Sequence, residues 1–263
     1  RTKIATMLIH VDLLDPRPEA VAAACPLAAS VNIPADQLPM RRYELPRRGE
    51  AVKIAALEGA DAAMEPLRDA DLVPMIEHDL VFGGPAQRAR LWEPSSFLEE
   101  TLPHLTTGTA LDLGCGAGRD SVFLAAHGWT VQAVDRLPDA LEIGRGLAAR
   151  YLERGEIDNL VWLNLDLDAR PVADIHPQPD LAIMFRFLHH PTLAALPSLL
   201  APGGSVLLEV FTLENAARHG KPRPSRCAGV RELTQLIAPL KVLQADENWR
   251  RDGRHTARIW ARR

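Results

Sequence analysis

Glycines and carboxylates recur in the second half of the chain at a spacing that suits nucleoside binding. Asp112-Leu113-Gly114-Cys115-Gly116-Ala117-Gly118 leads from a predicted strand into a predicted helix. Glycines allow a sharp turn and let a ligand approach the main chain without a Cβ in the way. Asp135 ends the next predicted strand, where a carboxylate can accept hydrogen bonds from a ribose diol. These features predict a site for a nucleoside.

A third acidic segment extends this pattern. Asn164-Leu165-Asp166-Leu167 follows the next predicted strand, and a carboxylate there can accept a hydrogen bond from an adenine amino group. Ligands of parallel sheets bind in the crevice beyond the carboxyl ends of the strands. Three such elements on three successive strand ends therefore indicate one site.

Two other nucleotide-binding patterns fit less well. The dinucleotide fingerprint is G-x-G-x-x-G. Counted from Gly114, its third glycine would fall at Arg119, so the fit fails. The phosphate-binding sequence G-x-x-x-x-G-K-[ST] is absent as well.

Strands and helices alternate around these residues, which predicts a parallel sheet covered by helices. Gly128 is expected to cap the first helix, and Pro202-Gly203-Gly204 to end the last. The turn Arg251-Asp252-Gly253 favours a final hairpin. The predicted strands are 109–113, 129–134, 160–165, 181–185 and 205–211; the helices are 120–127, 137–154 and 192–200; the hairpin strands are 241–245 and 256–261.

The stretch from Ala110 to Glu142 resembles motif I and the acidic segment after it in class I S-adenosylmethionine-dependent methyltransferases. Its loop, which continues as Gly118-Arg119-Asp120-Ser121, is most similar to the tellurite-resistance and thiol methyltransferase branch. Leu200-Ala201-Pro202-Gly203-Gly204 before the fifth strand is similar to a segment that recurs in the family at this position. The resemblance implies a Rossmann-like seven-stranded α/β sheet with strand order 3-2-1-4-5-7-6 over residues 86–263.

The resemblance also implies a cofactor, S-adenosyl-L-methionine, and roles for individual residues. Gly114 and Gly116 are expected to line its methionine part, Asp135 to hold the ribose hydroxyls, and Asp166 with the Leu167 backbone to bind the adenine. Phe185 is expected near the transferring methyl. The full set of expected cofactor-binding residues is Asp112, Gly114, Cys115, Gly116, Asp135, Asp166, Leu167 and Phe185. Trp92 is expected either to fold over this pocket or to anchor a core.

Catalytic candidates follow the fourth strand. His189 or His190 suits a general base, because the histidine pKa lies near neutrality; alternatively, one of the pair caps the following helix. Arg186 is expected to bind an anionic acceptor or to pair with a carboxylate. A basic loop (Arg218, His219, Lys221, Arg223 and Arg226) is expected to overhang the pocket or to be solvated. No metal site is expected.

Residues 1–85 form a separate predicted domain, similar to a rhodanese. The similarity rests on Asp15-Pro16-Arg17, a short helix and the strand Ser30-Val31-Asn32-Ile33-Pro34. The resemblance places a nucleophilic cysteine in the loop after the next strand, but this chain has Glu58-Gly59-Ala60-Asp61-Ala62 there. We therefore expect a small α/β domain without sulfurtransferase activity.

Composition narrows the functional class. The net charge is −4, which argues against a whole-molecule nucleic-acid clamp. The three cysteines form no paired motif, which favours a reducing cytoplasm; no membrane span is expected.

The leading hypothesis is methyl transfer to a small nucleophile, such as a thiol or chalcogen compound. The alternatives are an RNA or protein methyltransferase, with the arginine-rich C-terminus contacting RNA, and a cofactor-binding regulatory protein without turnover. The oligomeric state is not predicted.

Overall fold

The computed structural model describes residues 8–83, 88–170 and 178–263. It divides into two compact units, Arg1–Glu93 and Pro94–Arg263. The division falls later than the sequence predicted, because β1 (Ile9–His10) pairs in parallel with β6 (Ala89–Arg90), and Leu91 packs in the core of the first unit. Gly84 and Pro85, where the boundary was predicted, lie outside the described residues.

The first unit is built on a four-stranded parallel sheet. Its strand order is β3-β2-β4-β5, and every pairing in it is parallel. The strands are β2 (Leu13–Asp15), β3 (Ser30–Asn32), β4 (Ala51–Ala55) and β5 (Val73–Glu77). The helices are α1 (Glu19–Ala24) and α2 (Ala60–Asp69), with 3₁₀ turns at Ala35–Gln37 and Arg42–Glu44.

A buried ion pair fixes the turn after β2. Arg17 Nη2 lies 2.7 Å from Asp15 Oδ2, and both side chains are almost fully buried. Arg17 also donates to the carbonyl of Cys25 at 2.8 Å, which attaches the end of α1 to this turn. The Asn32 amide donates to the Asp15 and Arg17 carbonyls. These bonds satisfy polar groups that would be costly to bury alone.

The second unit contains a seven-stranded sheet with the order β12-β13-β11-β10-β7-β8-β9. Numbered within this unit and read from the other edge, this order is 3-2-1-4-5-7-6. Its pairings are parallel apart from the two that involve β13. The strands are β7 (Thr109–Leu113), β8 (Thr130–Asp135), β9 (Leu160–Asn164), β10 (Leu181–Phe185), β11 (Ser205–Phe211), β12 (Lys241–Trp249) and β13 (His255–Arg262).

Helices connect these strands, as α/β crossovers require. Among the described residues none is long and apolar enough to span a membrane. The helices of the second unit are α3 (Ser96–Thr101), α4 (Arg119–Ala126), α5 (Pro138–Tyr151), α6 (Arg154–Ile157), α7 (His190–Leu199), α8 (Leu213–His219) and α9 (Val230–Leu236), with 3₁₀ turns at Leu102–His104 and Pro224–Arg226.

One tryptophan ties the glycine loop to α5. A Cβ added at Gly118, which begins α4 with φ +72°, would overlap the Trp162 ring. A Cβ at Gly144, inside α5, would overlap the same ring. Two glycines therefore leave the space that a side chain from β9 fills, and this packing fixes the position of the turn that precedes α4.

The C-terminal arginines are largely engaged within the protein. β13 is an inner strand between β11 and β12. Arg258 on β13 is buried and its Nε donates to Glu209 Oε2 at 2.8 Å. Arg250 pairs with Asp246 at 2.6 Å, and Arg263 donates to the Ser198 carbonyl. These side chains stabilise the final hairpin, which weakens the argument for an RNA-binding tail.

Candidate cofactor site

A cavity of about 360 Å³ opens at the carboxyl ends of the parallel strands of the second unit. This volume lies within the range usual for small-molecule sites. Because the central strands are parallel, their carboxyl ends and the loops that follow meet at this edge. The lining residues are Gly114, Val134, Asp135, Arg136, Leu137, Leu165, Asp166, Leu167, Asp168, Phe185, Arg186, Phe187, Leu188, His189, Pro222, Arg223 and Arg226.

The glycine loop after β7 forms one wall of the cavity. Gly114 has φ +77° and donates its amide to the Val134 carbonyl at 2.9 Å. A Cβ at Gly114 would come within 2.7 Å of the Phe187 ring. Gly116 has φ +54°, and a Cβ there would meet no atom within 4 Å. The loop therefore exposes bare main chain at Gly116, as a ligand packed against the backbone would need.

Asp135 connects the end of β8 to this loop. Its Oδ2 accepts the Gly116 amide at 2.8 Å, and its Oδ1 accepts the Leu137 amide at 2.9 Å. A carboxylate offers about four acceptor positions, so two bonds leave capacity for hydroxyl donors. The side chain is half-buried and lines the cavity.

The segment after β9 forms the opposite wall. Asp166 and Leu167 line the cavity beside Leu165, at the positions the sequence indicated. Asp166 Oδ1 accepts the Asp168 amide at 3.0 Å, which closes a local turn. The arrangement combines apolar side chains with an acidic group, a combination that suits a purine ring and its amino group.

Three loop residues that were expected to bind the cofactor, Asp112, Cys115 and Gly116, do not line the cavity. Asp112 is buried beneath the loop and accepts a hydrogen bond from the Ser121 hydroxyl at 2.5 Å. Burial, reinforced by the charge of Asp120, raises the pKa of Asp112 to about 8 despite that bond. Burial also raises the pKa of Cys115 strongly, so its thiol stays protonated and is a poor nucleophile.

Phe185 and Arg186 lie together at the end of β10 and both line the cavity. Phe185 packs toward Phe97 of α3, with ring centroids 6.5 Å apart. Arg186 has φ +56°, an uncommon backbone conformation for a residue with a side chain. Its guanidinium pairs with Asp252 in the hairpin turn and lies 3.8 Å from Glu209. Of the two roles expected for Arg186, pairing with a carboxylate is the one observed in the structure.

The two candidate histidines are placed differently. His189 lines the cavity, is 7% exposed, and begins α7 by accepting the Thr192 amide at Nδ1. Its Nε2 lies 3.0 Å from Asp168 Oδ1. Both ring nitrogens thus have protein partners. His190 does not line the cavity and instead contacts Glu232 at 2.9 Å.

The predicted basic loop splits into two groups, with Lys221 between them and outside the cavity lining. Arg218 stacks on Trp249, and His219 contacts the Gly253 carbonyl, so both are held against the final hairpin. Arg223 and Arg226 line the cavity instead. Only the second group is placed to contact a ligand bound there.

Sequence reasoning missed Phe187 and Asp168 as cavity residues. Both follow strand ends that had already been assigned to the site, and that position was the available signal. Trp92 belongs to the first unit and is fully buried, with 0% of its surface accessible. Within the described ranges, no cluster of three or more potential ligands could hold a metal ion.

Comparison with known proteins agrees with this geometry. Residues 111–206 match the model of a methyltransferase domain. An uncharacterized protein of Schizosaccharomyces pombe, UNK4.09, is 24% identical over 82% of this chain and 81% of its own length. Since the second unit begins at Pro94, that similarity extends into the first unit.

Solved structures share the fold of the second unit. One, from work on the conversion of a disulfide bond into a thioacetal group during echinomycin biosynthesis, has a TM-score of 0.51 and 21% identity over 64% of this chain and 81% of its own. The N-methyltransferase NodS of Bradyrhizobium japonicum WM9, in complex with S-adenosyl-L-homocysteine, has a TM-score of 0.50 and 17% identity over 64% of this chain and 84% of its own.

These findings identify the enzyme class. The chain carries a methyltransferase domain with a Rossmann-like α/β fold and a mainly parallel sheet. S-adenosyl-L-methionine is the cofactor of this class of enzyme. The cavity fits it, because Gly114 of the glycine loop, the Asp135 carboxylate and apolar side chains line one space.

Proposed function

We propose that the second unit binds S-adenosyl-L-methionine in this cavity and transfers its methyl group to a small nucleophilic acceptor. The observation that carries the proposal is Asp135, whose carboxylate binds the Gly116 amide and faces the cavity. Gly114 and Gly116 would border the methionine part of the cofactor. Asp135 would accept from the ribose hydroxyls, and Asp166 with Leu167 would bind the adenine.

The bound cofactor supplies an activated methyl on a positively charged sulfonium, so positioning and exclusion of water contribute much of the rate. Phe185, with Phe97 behind it, would shield this end of the cavity from solvent. His189 is occupied on both ring nitrogens and His190 lies outside the cavity. We therefore assign His189 to positioning and leave His190 out of the reaction. An acceptor that arrives already deprotonated needs no base.

A thiol or chalcogen compound is the acceptor class that the loop sequence favours. An RNA or protein acceptor is the second candidate. It has less support, since Arg258, Arg250 and Arg263 of the C-terminal segment are engaged within the protein. A third candidate is a regulatory protein that binds the cofactor without turnover, and an acceptor-dependent release of S-adenosyl-L-homocysteine would eliminate it.

The first unit is proposed to be a rhodanese-like domain without sulfurtransferase activity. The loop between β4 and α2 carries Glu58 and Gly59 rather than a cysteine, and Cys25 is exposed at the end of α1. We further propose a cytoplasmic location, on the basis of three cysteines that are all free thiols.

Isothermal titration of S-adenosyl-L-methionine into the native protein and Asp135→Ala tests the proposed function. We expect clear binding to the native protein. The affinity of the variant should be lower by about tenfold or more, since a charge-assisted hydrogen bond contributes about 1.5–3 kcal/mol. Asp139→Ala is the matched control, because Asp139 is exposed in the first turn of α5. Absence of binding to the native protein would refute the proposal; equal binding by both variants would refute the role of Asp135.

A further inference from the structure

The charged residues that line the cavity are separated by sign. Three carboxylates (Asp135, Asp166 and Asp168) come from the end of β8 and from the segment after β9. Three arginines (Arg186, Arg223 and Arg226) come from the segments after β10 and α8. Arg136 is the exception, since it follows Asp135 in the acidic half. The carboxylates that suit a nucleoside thus come from one pair of strand ends, and the arginines, whose ligand is not yet assigned, come from other segments.

Arg186 already has its charge compensated. Its guanidinium pairs with Asp252 and lies 3.8 Å from the buried Glu209, while its amide donates to the Glu209 carbonyl at 2.6 Å. Glu209 in turn binds the buried Arg258. Arg186 is therefore part of a charge network that joins β10, β11 and the hairpin, and it has little net charge to offer a ligand.

Arg226 and Arg223 differ from Arg186 in the groups that surround their charges. Arg226 donates Nη1 to the Leu188 carbonyl at 3.0 Å, and its guanidinium lies 6.0 Å from the centre of the Phe187 ring. Its charge is held in place by neutral groups. Within the described part of the chain, neither Arg226 nor Arg223 forms an ion pair with a carboxylate. Two positive charges on one short segment thus border the cavity with no carboxylate paired to them among residues 8–83, 88–170 and 178–263.

We infer that the methyl acceptor is a small molecule with an oxyanion or carboxylate group, and that Arg223 and Arg226 bind this group. The inference rests on the proposed function and names the substrate class of the same site. Guanidinium groups bind such anions through paired, charge-assisted hydrogen bonds. Phe187, between the glycine loop and Arg226, would cover the bound acceptor from one side.

Binding of sulfate and of 3-mercaptopropionate tests this inference, with sodium chloride at equal ionic strength as the reference. The readout is the thermal unfolding midpoint, which rises when a ligand binds the native state. Each titration is run on the free protein and on protein saturated with S-adenosyl-L-homocysteine. The variants are Arg223→Gln, Arg226→Gln and their combination; Arg231→Gln, an exposed arginine on α9, is the matched control.

We expect both anions to raise the midpoint of the native protein while S-adenosyl-L-homocysteine is bound. The combined variant should bind them about tenfold more weakly or not at all, and the control variant should behave like the native protein. No effect on the native protein, or an effect that the variants retain, would overturn the inference.

Two further outcomes would also overturn it, each in favour of a named alternative. If saturation with S-adenosyl-L-homocysteine abolishes anion binding and the combined variant loses affinity for that compound, the arginines bind the carboxylate of the cofactor. If the small anions have no effect but a single-stranded RNA oligonucleotide binds with a steep salt dependence, the ligand is a nucleic acid. S-adenosyl-L-homocysteine binding is measured in the same samples. If the native protein does not bind S-adenosyl-L-homocysteine, the proposed function and this inference are both refuted. If it binds S-adenosyl-L-homocysteine but not the anions, this inference alone is refuted.

Discussion

Asp135 and Asp112 show how two acidic residues near one loop take different roles. Asp135 lines the cavity and keeps its carboxylate between two amide donors. Asp112 is buried under the loop, and burial raises its pKa. The family resemblance implied the same role for both, cofactor binding. Motif spacing alone does not separate a residue that faces the ligand from one that holds the turn, because burial depends on the packed structure.

The raised pKa of Asp112 predicts an unusual pH dependence of stability. The unfolded-state value is about 3.9, and the folded value is about 8. A raised folded-state pKa gives stability at low pH that is lost as the pH rises through the folded value. Between pH of about 4 and about 8, the unfolding free energy should therefore fall more steeply for the native protein than for Asp112→Asn.

Urea unfolding at several pH values across that window measures the effect. Asp139→Asn, a change at an exposed carboxylate of α5, should keep the slope of the native protein. Parallel curves for the native protein and Asp112→Asn would contradict the prediction, since they would mean that Asp112 titrates alike in both states.

His189 also shows what sequence could and could not give. A histidine after the fourth strand was expected to be either a base or a helix cap. The structure places its Nδ1 on the Thr192 amide and its Nε2 on Asp168. The capping interaction is local and was one of the two readings. The contact with Asp168 joins segments far apart in sequence, so only the fold could reveal it.

At the level of elements, apolar runs and turn residues predicted most of the second unit. The expected strands 109–113, 181–185 and 205–211 have the bounds that the structure gives. The expected helix 137–154 is instead α5 and α6, separated at Leu152 and Glu153. Glu153 starts α6 through a capping box with Glu156, whose side chain accepts the Glu153 amide. A continuous pattern of apolar residues conceals such a break.

The turn before α4 predicts a cost for any side chain at Gly118. Its φ of +72° disfavours residues with a Cβ by about 1–2 kcal/mol, and a Cβ there would also overlap the Trp162 ring. We expect Gly118→Ala to lower the unfolding free energy by about 2 kcal/mol or more in a urea titration. Gly155→Ala is the control, because Gly155 has open space around it; an equal loss in both variants would contradict the steric argument.

At the level of the whole molecule, each unit contains a hydrophobic core cluster of its own. The core around Leu14 and Ile54 lies entirely within the first unit, and the core around Leu111 and Leu208 lies entirely within the second. A unit with its own core can fold on its own in principle. The rhodanese resemblance of residues 1–85 suggested the division, but it did not show that the chain returns to pair β6 with β1.

Separate cores predict separate effects of core substitutions. Leu14 is fully buried, so Leu14→Ala should destabilise the first unit by about 2–5 kcal/mol. The affinity for S-adenosyl-L-homocysteine, measured by calorimetric titration, should stay unchanged. Val21→Ala, at a side chain that is 41% exposed, is the control. Loss of affinity in Leu14→Ala at a temperature where the native protein is folded would show that the units fold as one.

The packing of Trp162 against Gly118 and Gly144 limits the order in which this region can change during divergence. While the indole is present, a side chain at Gly144 meets the ring, although its helical backbone would otherwise accept alanine. If position 162 first acquires a smaller residue, the ring no longer opposes alanine at 144, and only the close contact with the Ala117 carbonyl oxygen at 3.3 Å remains to be relieved. The reverse order passes through a strained intermediate. Sequences that descended along this route should therefore carry alanine at 144 together with a small residue at 162, and seldom alanine with tryptophan.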